Sequence, residues 1–348
     1  MRVFHHPGHK SHAPQSFIAR GRVTECPEQP RRAEILEAAA RRAGHEMMLA
    51  GSHGLAPVRA IHDAGYLGFL KRAWQLWSAL PNPGAEIIPN VHPGRNMSAP
   101  PQATVALAGH YQADTACPIG AGTWEGILAS ADVAVSAAED VMARLGGGDA
   151  GAHAYALCRP PGHHAFADQA GGFCFLNNAA IAAQVCRERG ADRVAILDVD
   201  VHHGNGTQGI FYQRADILTV SLHGDPAAYY PFFAGFADET GAGPGLGFNR
   251  NHPLPFGTDD DGYMAALSTA LEDIRRFKPD ILIVALGLDA SKDDPLAFLS
   301  ITTEGFRRIG GAIGTAGYPT LLVQEGGYIS DSLGDNLAAA LTGFEGAR

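Results

Sequence analysis

Two stretches of this 348-residue chain gather carboxylate and imidazole groups at the ends of apolar runs. Val194-Ala-Ile-Leu leads into Asp198-Val-Asp200-Val-His202-His203-Gly-Asn205, and Ile281-Leu-Ile-Val-Ala-Leu leads into Gly-Leu-Asp289. Without a cation, such a set would be costly to bury. Asp200, His202 and Asp289 therefore suggest two carboxylates and one imidazole around a single metal ion, with positions left open for water and substrate. The donor set suits Zn²⁺, Fe²⁺ or Co²⁺, and Zn²⁺ is the expected ion.

A third apolar run, Ala154 to Cys158, leads into Arg-Pro-Pro-Gly followed by His163 and His164. Adjacent imidazoles beside a metal supply a general base and a general acid, because their pKa lies near the operating pH. A fourth run, Thr320 to Gln324, ends in Glu325-Gly-Gly-Tyr328, where two glycines allow the backbone to carry a phenol over a pocket. A tyrosine hydroxyl there can donate to the oxyanion of a tetrahedral intermediate.

These clusters share a setting. Short β-branched runs alternate with longer helical patterns, which predicts an α/β fold: one open parallel sheet with helices on both faces. The strands are expected at Met1–Phe4, Ala154–Cys158, Val194–Asp198, Ile217–Leu222, Ile281–Leu286 and Thr320–Gln324. The helices are expected at 30–42, 63–80, 124–144, 178–189, 263–277, 302–316 and 332–344. In such sheets ligands bind at the C-terminal edge of the strands, where the polar clusters fall. The chain reads as one domain, 1–348. Residues 81–122, rich in Pro, Gly and Asn, read as a long functional loop. GAGPGLG at 241–247 has neither dinucleotide nor P-loop spacing, and no helical pattern follows it.

Hydrophobic residues at 46% and charged residues at 18% permit a sizeable core without disulfides. Five cysteines without a CxxC pair read as reduced, buried thiols. A net charge of −10 argues against nucleic acid as partner and is compatible with a cationic substrate. The N-terminus lacks the pattern of a secretory signal and no long apolar run suggests a membrane span, so a cytoplasmic protein without a membrane partner is expected.

Taken together, RPPGHHA from Arg159, GGFCFLNNAAIAA from Gly171, ILDVDVHHGNGTQ from Ile196, VSLHGDP from Val220, LGLDAS from Leu286 and EGGY from Glu325 resemble the arginase-deacetylase superfamily. Within it, the match is to the histone deacetylase-like branch that includes bacterial acetylpolyamine amidohydrolases. The resemblance implies a deacetylase in which Asp200, His202 and Asp289 bind the metal. His163 would be general base to the attacking water, His164 the acid for the leaving amine, and Tyr328 the oxyanion donor. Asp198 would support His163, and Asn205 would support His164. It further implies a structural K⁺ near Asp198, Asp200, His202, Ser221 and Leu222. Ser291 stands where a ureohydrolase carries the Asp for a second metal, so one catalytic metal is expected.

For substrate, the resemblance implies a narrow tunnel walled by Gly172, Phe173, Tyr230 and Leu296, and a homodimer formed through the 81–122 loop. Asp114 and Glu28 are the candidate acidic rim residues for a distal ammonium. Phe17 stands where an acidic residue is expected, which favours short substrates such as acetylputrescine or acetylcadaverine. Two alternatives stand beside hydrolysis of acetylated polyamines: a deacetylase of acetyl-lysine, and a non-enzymatic acetylamine-binding regulator, which would not need His163, His164 and Tyr328.

Overall fold

The computed structural model describes residues 1–348. Its strands are β1 (Arg2–His5), β2 (Ser16–Ala19), β3 (Arg22–Glu25), β4 (Glu46–Leu49), β5 (His153–Ala156), β6 (Val194–Asp198), β7 (Ile217–Gly224), β8 (Asn249–Leu254), β9 (Ile281–Leu286) and β10 (Thr320–Gln324). Its helices are α1 (Pro30–Arg42), α2 (Ala56–Arg59), α3 (Ala64–Ser78), α4 (Thr104–Tyr111), α5 (Thr123–Gly146), α6 (Asn178–Glu188), α7 (Asn205–Phe211), α8 (Asp260–Phe277), α9 (Thr303–Thr315) and α10 (Leu333–Gly346).

Eight strands form one sheet in the order β4-β1-β5-β10-β9-β6-β7-β8, and every neighbouring pair is parallel. Successive side chains of a strand point to opposite faces, so an unbroken apolar run supplies two cores. In β9, Ile281, Ile283 and Ala285 face one core while Leu282, Val284 and Leu286 face the other. Helices α3, α5 and α6 cover the first face; α1, α8, α9 and α10 cover the second. All eight strands of this sheet therefore run in the same direction, which leaves their C-termini along one edge. No helix is long and apolar enough to cross a membrane.

Several elements depart from expectation. β5 spans 153–156 and so ends before Cys158, while β7 continues to Gly224. The β2–β3 hairpin, β4 and β8 were not foreseen, and the expected loop at 81–122 contains α4. Asp63 lies outside α3 as its N-cap, accepting the amide N–H groups of Gly65 and Tyr66. Within 241–247 the chain makes only a short 3-10 turn at Gly243–Gly245.

Candidate active site

The central strands β5, β10, β9, β6 and β7 are adjacent, so the segments that follow them share one edge. There Asp200, His202 and Asp289 offer ligand atoms that all lie within 4.8 Å of one another, each side chain buried. Asp200 Oδ1 accepts the His202 backbone N–H at 2.9 Å and lies 3.1 Å from His202 Nδ1. Its other oxygen accepts the Gly326 N–H at 2.8 Å. Asp289 Oδ1 accepts the Val201 N–H at 3.1 Å, while Oδ2 lies 3.3 Å from His202 Nδ1 and has no hydrogen-bond partner.

Residue 326 must be glycine for this set to close. A Cβ there would stand 2.0 Å from Asp289 Oδ2 and 2.6 Å from Asp200 Oδ2. Burial disfavours charge on His202, but Asp200 and Asp289 outweigh it and hold the imidazole up at about 9. Two buried carboxylates, one with an unpartnered oxygen, and an imidazole thus make a field that favours a cation, and the donors fit a divalent metal.

The two histidines after β5 are held differently. His163 Nδ1 bonds Asp198 Oδ2 at 2.9 Å, and its Nε2 lies 3.8 Å from Asp200 Oδ1. Burial opposes its protonation, yet Asp200 and Asp198 raise it well above the usual histidine value. His164 Nδ1 bonds Asn205 Oδ1 at 2.7 Å. Burial, then the neighbouring His163 and His202, push His164 well below the usual value, so it stays neutral. The ring centroids are 4.0 Å apart.

Glu325 fixes the turn that carries this pair. Its Oε2 accepts the N–H groups of Gly162 at 2.6 Å and His163 at 3.0 Å, tying the end of β10 to the segment after β5. Tyr328 follows Gly327, whose φ of +109° re-aims the chain. Its phenol is buried, which raises it well above the usual tyrosine value and keeps it a proton-bearing donor.

The expected tunnel residues also meet here. Phe173 packs edge-on against Tyr328 at 5.6 Å between centroids, with Leu296, Phe17 and Cys26 alongside. Tyr230 stands edge-on to His164 at 4.9 Å. Gly172 lets these walls approach: with φ +49°, its Cβ would be 2.4 Å from His164 Cδ2.

The two acidic rim candidates diverge. Asp114 adjoins the expected tunnel residues, but its oxygens accept from the Tyr230 hydroxyl at 2.6 Å, Gly172 N–H at 3.1 Å and Ala116 N–H at 2.8 Å. Glu28 is not a rim residue. It is fully buried, 2.8 Å from Arg32 Nη1 and 2.9 Å from Arg159 Nη2, with His12 Nε2 at 3.6 Å. Burial would raise its carboxyl, but Arg159 and Arg32 overcome that and hold it below the usual value.

Around the expected K⁺ positions, Asp198 at the end of β6 pairs in register with Ser221 on β7, and Leu222 follows, fully buried. Ser221 Oγ lies 2.8 Å from His223 Nδ1.

Sequence reasoning missed three supporting residues. Arg32 donates through Nε to Gly327 O at 2.5 Å and through Nη2 to Glu325 O at 2.7 Å, with its guanidinium 4.6 Å from the centre of the Tyr328 ring. Asp294 accepts the Tyr328 N–H at 2.7 Å and the Leu296 N–H at 2.8 Å, joining the oxyanion candidate to an expected wall residue. Tyr229 stacks on His202 at 4.8 Å. Asp294 and Tyr229 each adjoin a flagged motif; the contacts of Arg32 span 293 and 295 residues and left no local signal.

Residues 26–344 match the histone deacetylase domain, and the chain belongs to that family. Among characterised relatives, it is 45% identical to the acetylpolyamine amidohydrolase of Burkholderia pseudomallei (strain 1710b), with all of both chains covered. It is 43% identical to acetylpolyamine amidohydrolase 1 of Pseudomonas aeruginosa, with 97% of each chain covered. Its fold superposes on a crystal structure of the acetylpolyamine aminohydrolase from Burkholderia pseudomallei with a TM-score of 0.95 at 45% identity, covering 100% of this chain and 99% of that one. The HDA15 HD domain superposes with a TM-score of 0.82 at 27% identity, covering 99% and 89%.

Proposed function

We propose that the protein hydrolyses the acetamide of small acetylated polyamines or diamines, releasing acetate and the free amine. The observation that carries this reading is the meeting of the Asp200, His202 and Asp289 donors with His163, His164 and Tyr328 in one buried setting beside the rings of Phe173 and Tyr230. A pure binding module has no use for the histidine pair and the phenol together. Full-length similarity to acetylpolyamine amidohydrolases supports the substrate class.

Asp200, His202 and Asp289 would hold one divalent ion, Zn²⁺ being our choice, with Fe²⁺ or Co²⁺ compatible with the same donors. Such an ion supplies Lewis acidity: it polarises a carbonyl and acidifies water. The chain's own residues do the rest. Phe173, Tyr230 and Leu296 align an extended aminoalkyl chain, and Tyr328 donates its hydroxyl to the oxygen that becomes negative as water adds to the carbonyl carbon.

The supports of the two histidines favour a division of labour opposite to that expected from the sequence. A carboxylate behind His163 favours its imidazolium, whereas the Asn205 amide orients His164 without adding charge. A nearby cation lowers both histidines but leaves the Asp-versus-Asn difference between them. His164 then accepts the water proton and passes it to the amine nitrogen as the C–N bond breaks, while charged His163 stabilises the oxyanion.

We further place a K⁺ at the Asp198, Ser221 and Leu222 end of β6 and β7, and a homodimer contact on 81–122, where Val91 and Met97 are exposed. We also propose a cytoplasmic location with neither nucleic acid nor membrane as partner; the net charge of −10 supports the first of these exclusions. Turnover of N-acetylputrescine, N-acetylcadaverine, N8-acetylspermidine and an acetyl-lysine peptide by the purified protein tests the substrate class. The small amines should be preferred; preference for the peptide would overturn the reading.

A further inference from the structure

Beside the proposed catalytic metal site lies a second set of converging donors. His163, Cys174 and Glu325 each offer one ligand atom within 4.8 Å of the other two, and all three side chains are buried. They arrive from three segments: the turn after β5, the Gly171–Leu176 loop, and the residue directly after β10.

One of these donors is unsatisfied and another is only singly bonded. Glu325 spends Oε2 on the Gly162 and His163 amides, but Oε1 is buried with no hydrogen-bond partner. Cys174 Sγ donates one hydrogen bond, to the Gly172 carbonyl at 3.4 Å. A buried unpaired carboxylate oxygen is expensive, and its persistence calls for a partner such as a proton, a water or an ion. Burial also raises the Glu325 carboxyl to about 7 and the Cys174 thiol well above its usual value, and a bound cation would relieve both.

We infer that His163, Cys174 and Glu325 form a second, inhibitory site for a thiophilic divalent metal such as Zn²⁺, Co²⁺ or Cd²⁺. A thiolate, an imidazole and a carboxylate suit such ions, and three protein donors leave a fourth tetrahedral position for solvent. On binding, the Cys174 S–H bond and one N–H bond of the His163 imidazolium break, their protons and any proton on Glu325 leave to solvent, and sulfur, the imidazole nitrogen and the carboxylate each donate an electron pair to the metal, with no change of oxidation state. His163 is then committed to the second ion and lost to the reaction. The first equivalent of metal activates and the second inhibits, because the two sites adjoin through His163, whose Nε2 is 3.8 Å from Asp200 Oδ1.

The inhibitory consequence rests on the proposed role of His163; the binding itself does not, and the two are read separately. Protein carrying one equivalent of Co²⁺ is titrated with a second while the near-ultraviolet spectrum and turnover of N-acetylputrescine are followed. The Asp200, His202 and Asp289 site has no sulfur, so the first equivalent should give no thiolate-to-cobalt charge-transfer band. The second should produce the band and lower turnover by about 100-fold, the scale of a lost oxyanion-stabilising group. Cys174→Ser should abolish the band and the inhibition, each variant being compared with itself at one equivalent. Glu325→Gln should shift the second binding event to higher metal concentration.

A thiolate band with the first equivalent, no band with the second, or a band that survives in Cys174→Ser overturns the site. A normal band without inhibition leaves the metal site standing and overturns the inhibitory role and the part assigned to His163.

Discussion

Tyr230 donates its hydroxyl to Asp114 Oδ2 at 2.6 Å, and the same oxygen accepts the Gly172 N–H at 3.1 Å. One carboxylate thus latches together the segment before α5, the Gly172–Phe173 loop and the segment after β7, the three segments that would wall the proposed tunnel. Asp114→Asn or Tyr230→Phe should raise KM by about 10- to 100-fold with a smaller effect on kcat, since a partly buried charge-assisted bond is worth about 1.5–3 kcal/mol. The Asn variant also separates two roles. If Asp114 builds walls, KM rises equally for N-acetylputrescine and for uncharged N-butylacetamide. Loss confined to the diamine would show that Asp114 receives the ammonium.

Tyr328 is held at its backbone by Asp294 and over its ring by Arg32. Removing only the hydroxyl should therefore leave the fold and the metal ligands intact. Tyr328→Phe is expected to lower kcat by about 10²–10³ with metal content unchanged, the scale of losing one oxyanion donor. Wild-type turnover in this variant would remove Tyr328 from the reaction.

Metal removal should act on stability as well as turnover. Asp200 and Asp289 are both fully buried, and without a cation their charges oppose each other. A ligand present at 1,000 times its Kd adds about 4 kcal/mol to the folded state. Dialysis against a chelator is expected to abolish activity and lower the unfolding midpoint, and Zn²⁺ or Co²⁺ to restore both. Retention of full activity by metal-free protein would exclude the proposed chemistry.

Much of the site was legible because its chemistry-bearing residues follow apolar strands directly, as Asp198 follows Val194–Leu197 and Glu325 follows Thr320–Gln324. The two edge strands of the sheet were not. β4 sits at the sheet edge with Glu46 and Leu49 exposed, and β8 reads Asn-Arg-Asn-His-Pro-Leu because Asn249 and Asn251 face Gln208, not an apolar core. Glu28 was misplaced for a related reason. An acidic residue before a helix looks solvated until Arg159, 131 residues away, arrives to pair with it.

Acid should weaken the fold through histidines remote from the metal ligands. Burial lowers His9, His12 and His62 to about 4. The unfolded chain takes up these protons below about pH 6.5, while the folded one resists until about pH 4. Stability is then full above the unfolded value and falls as pH drops through that window, by up to about 3 kcal/mol per group. His62 is the cleanest probe: its Nε2 accepts the Asn177 N–H at 2.9 Å and its Nδ1 lies 3.3 Å from Ala167 O. His62→Gln should flatten the pH dependence of the urea midpoint between pH 6.5 and 4 relative to wild type. An unchanged slope would show that His62 does not contribute.

The Glu28 network couples stability to the position of Tyr328. Its carboxylate balances two buried guanidinium groups, and Arg32 also binds the carbonyls of Glu325 and Gly327 on either side of the turn that leads to Tyr328. Glu28→Gln keeps the shape but leaves Arg32 and Arg159 short of a counter-charge, and breaking a buried pair in this way costs about 3–5 kcal/mol. The comparison is Glu37→Gln, which removes an exposed helix pair with Arg41 at 2.7 Å and should cost under about 1 kcal/mol. Denaturant unfolding should separate the two variants clearly. Because Arg32 is freed in the first and untouched in the second, only Glu28→Gln should also lower kcat at unchanged metal content. Equal stability of the two variants would show that the buried network is no stronger than a surface pair.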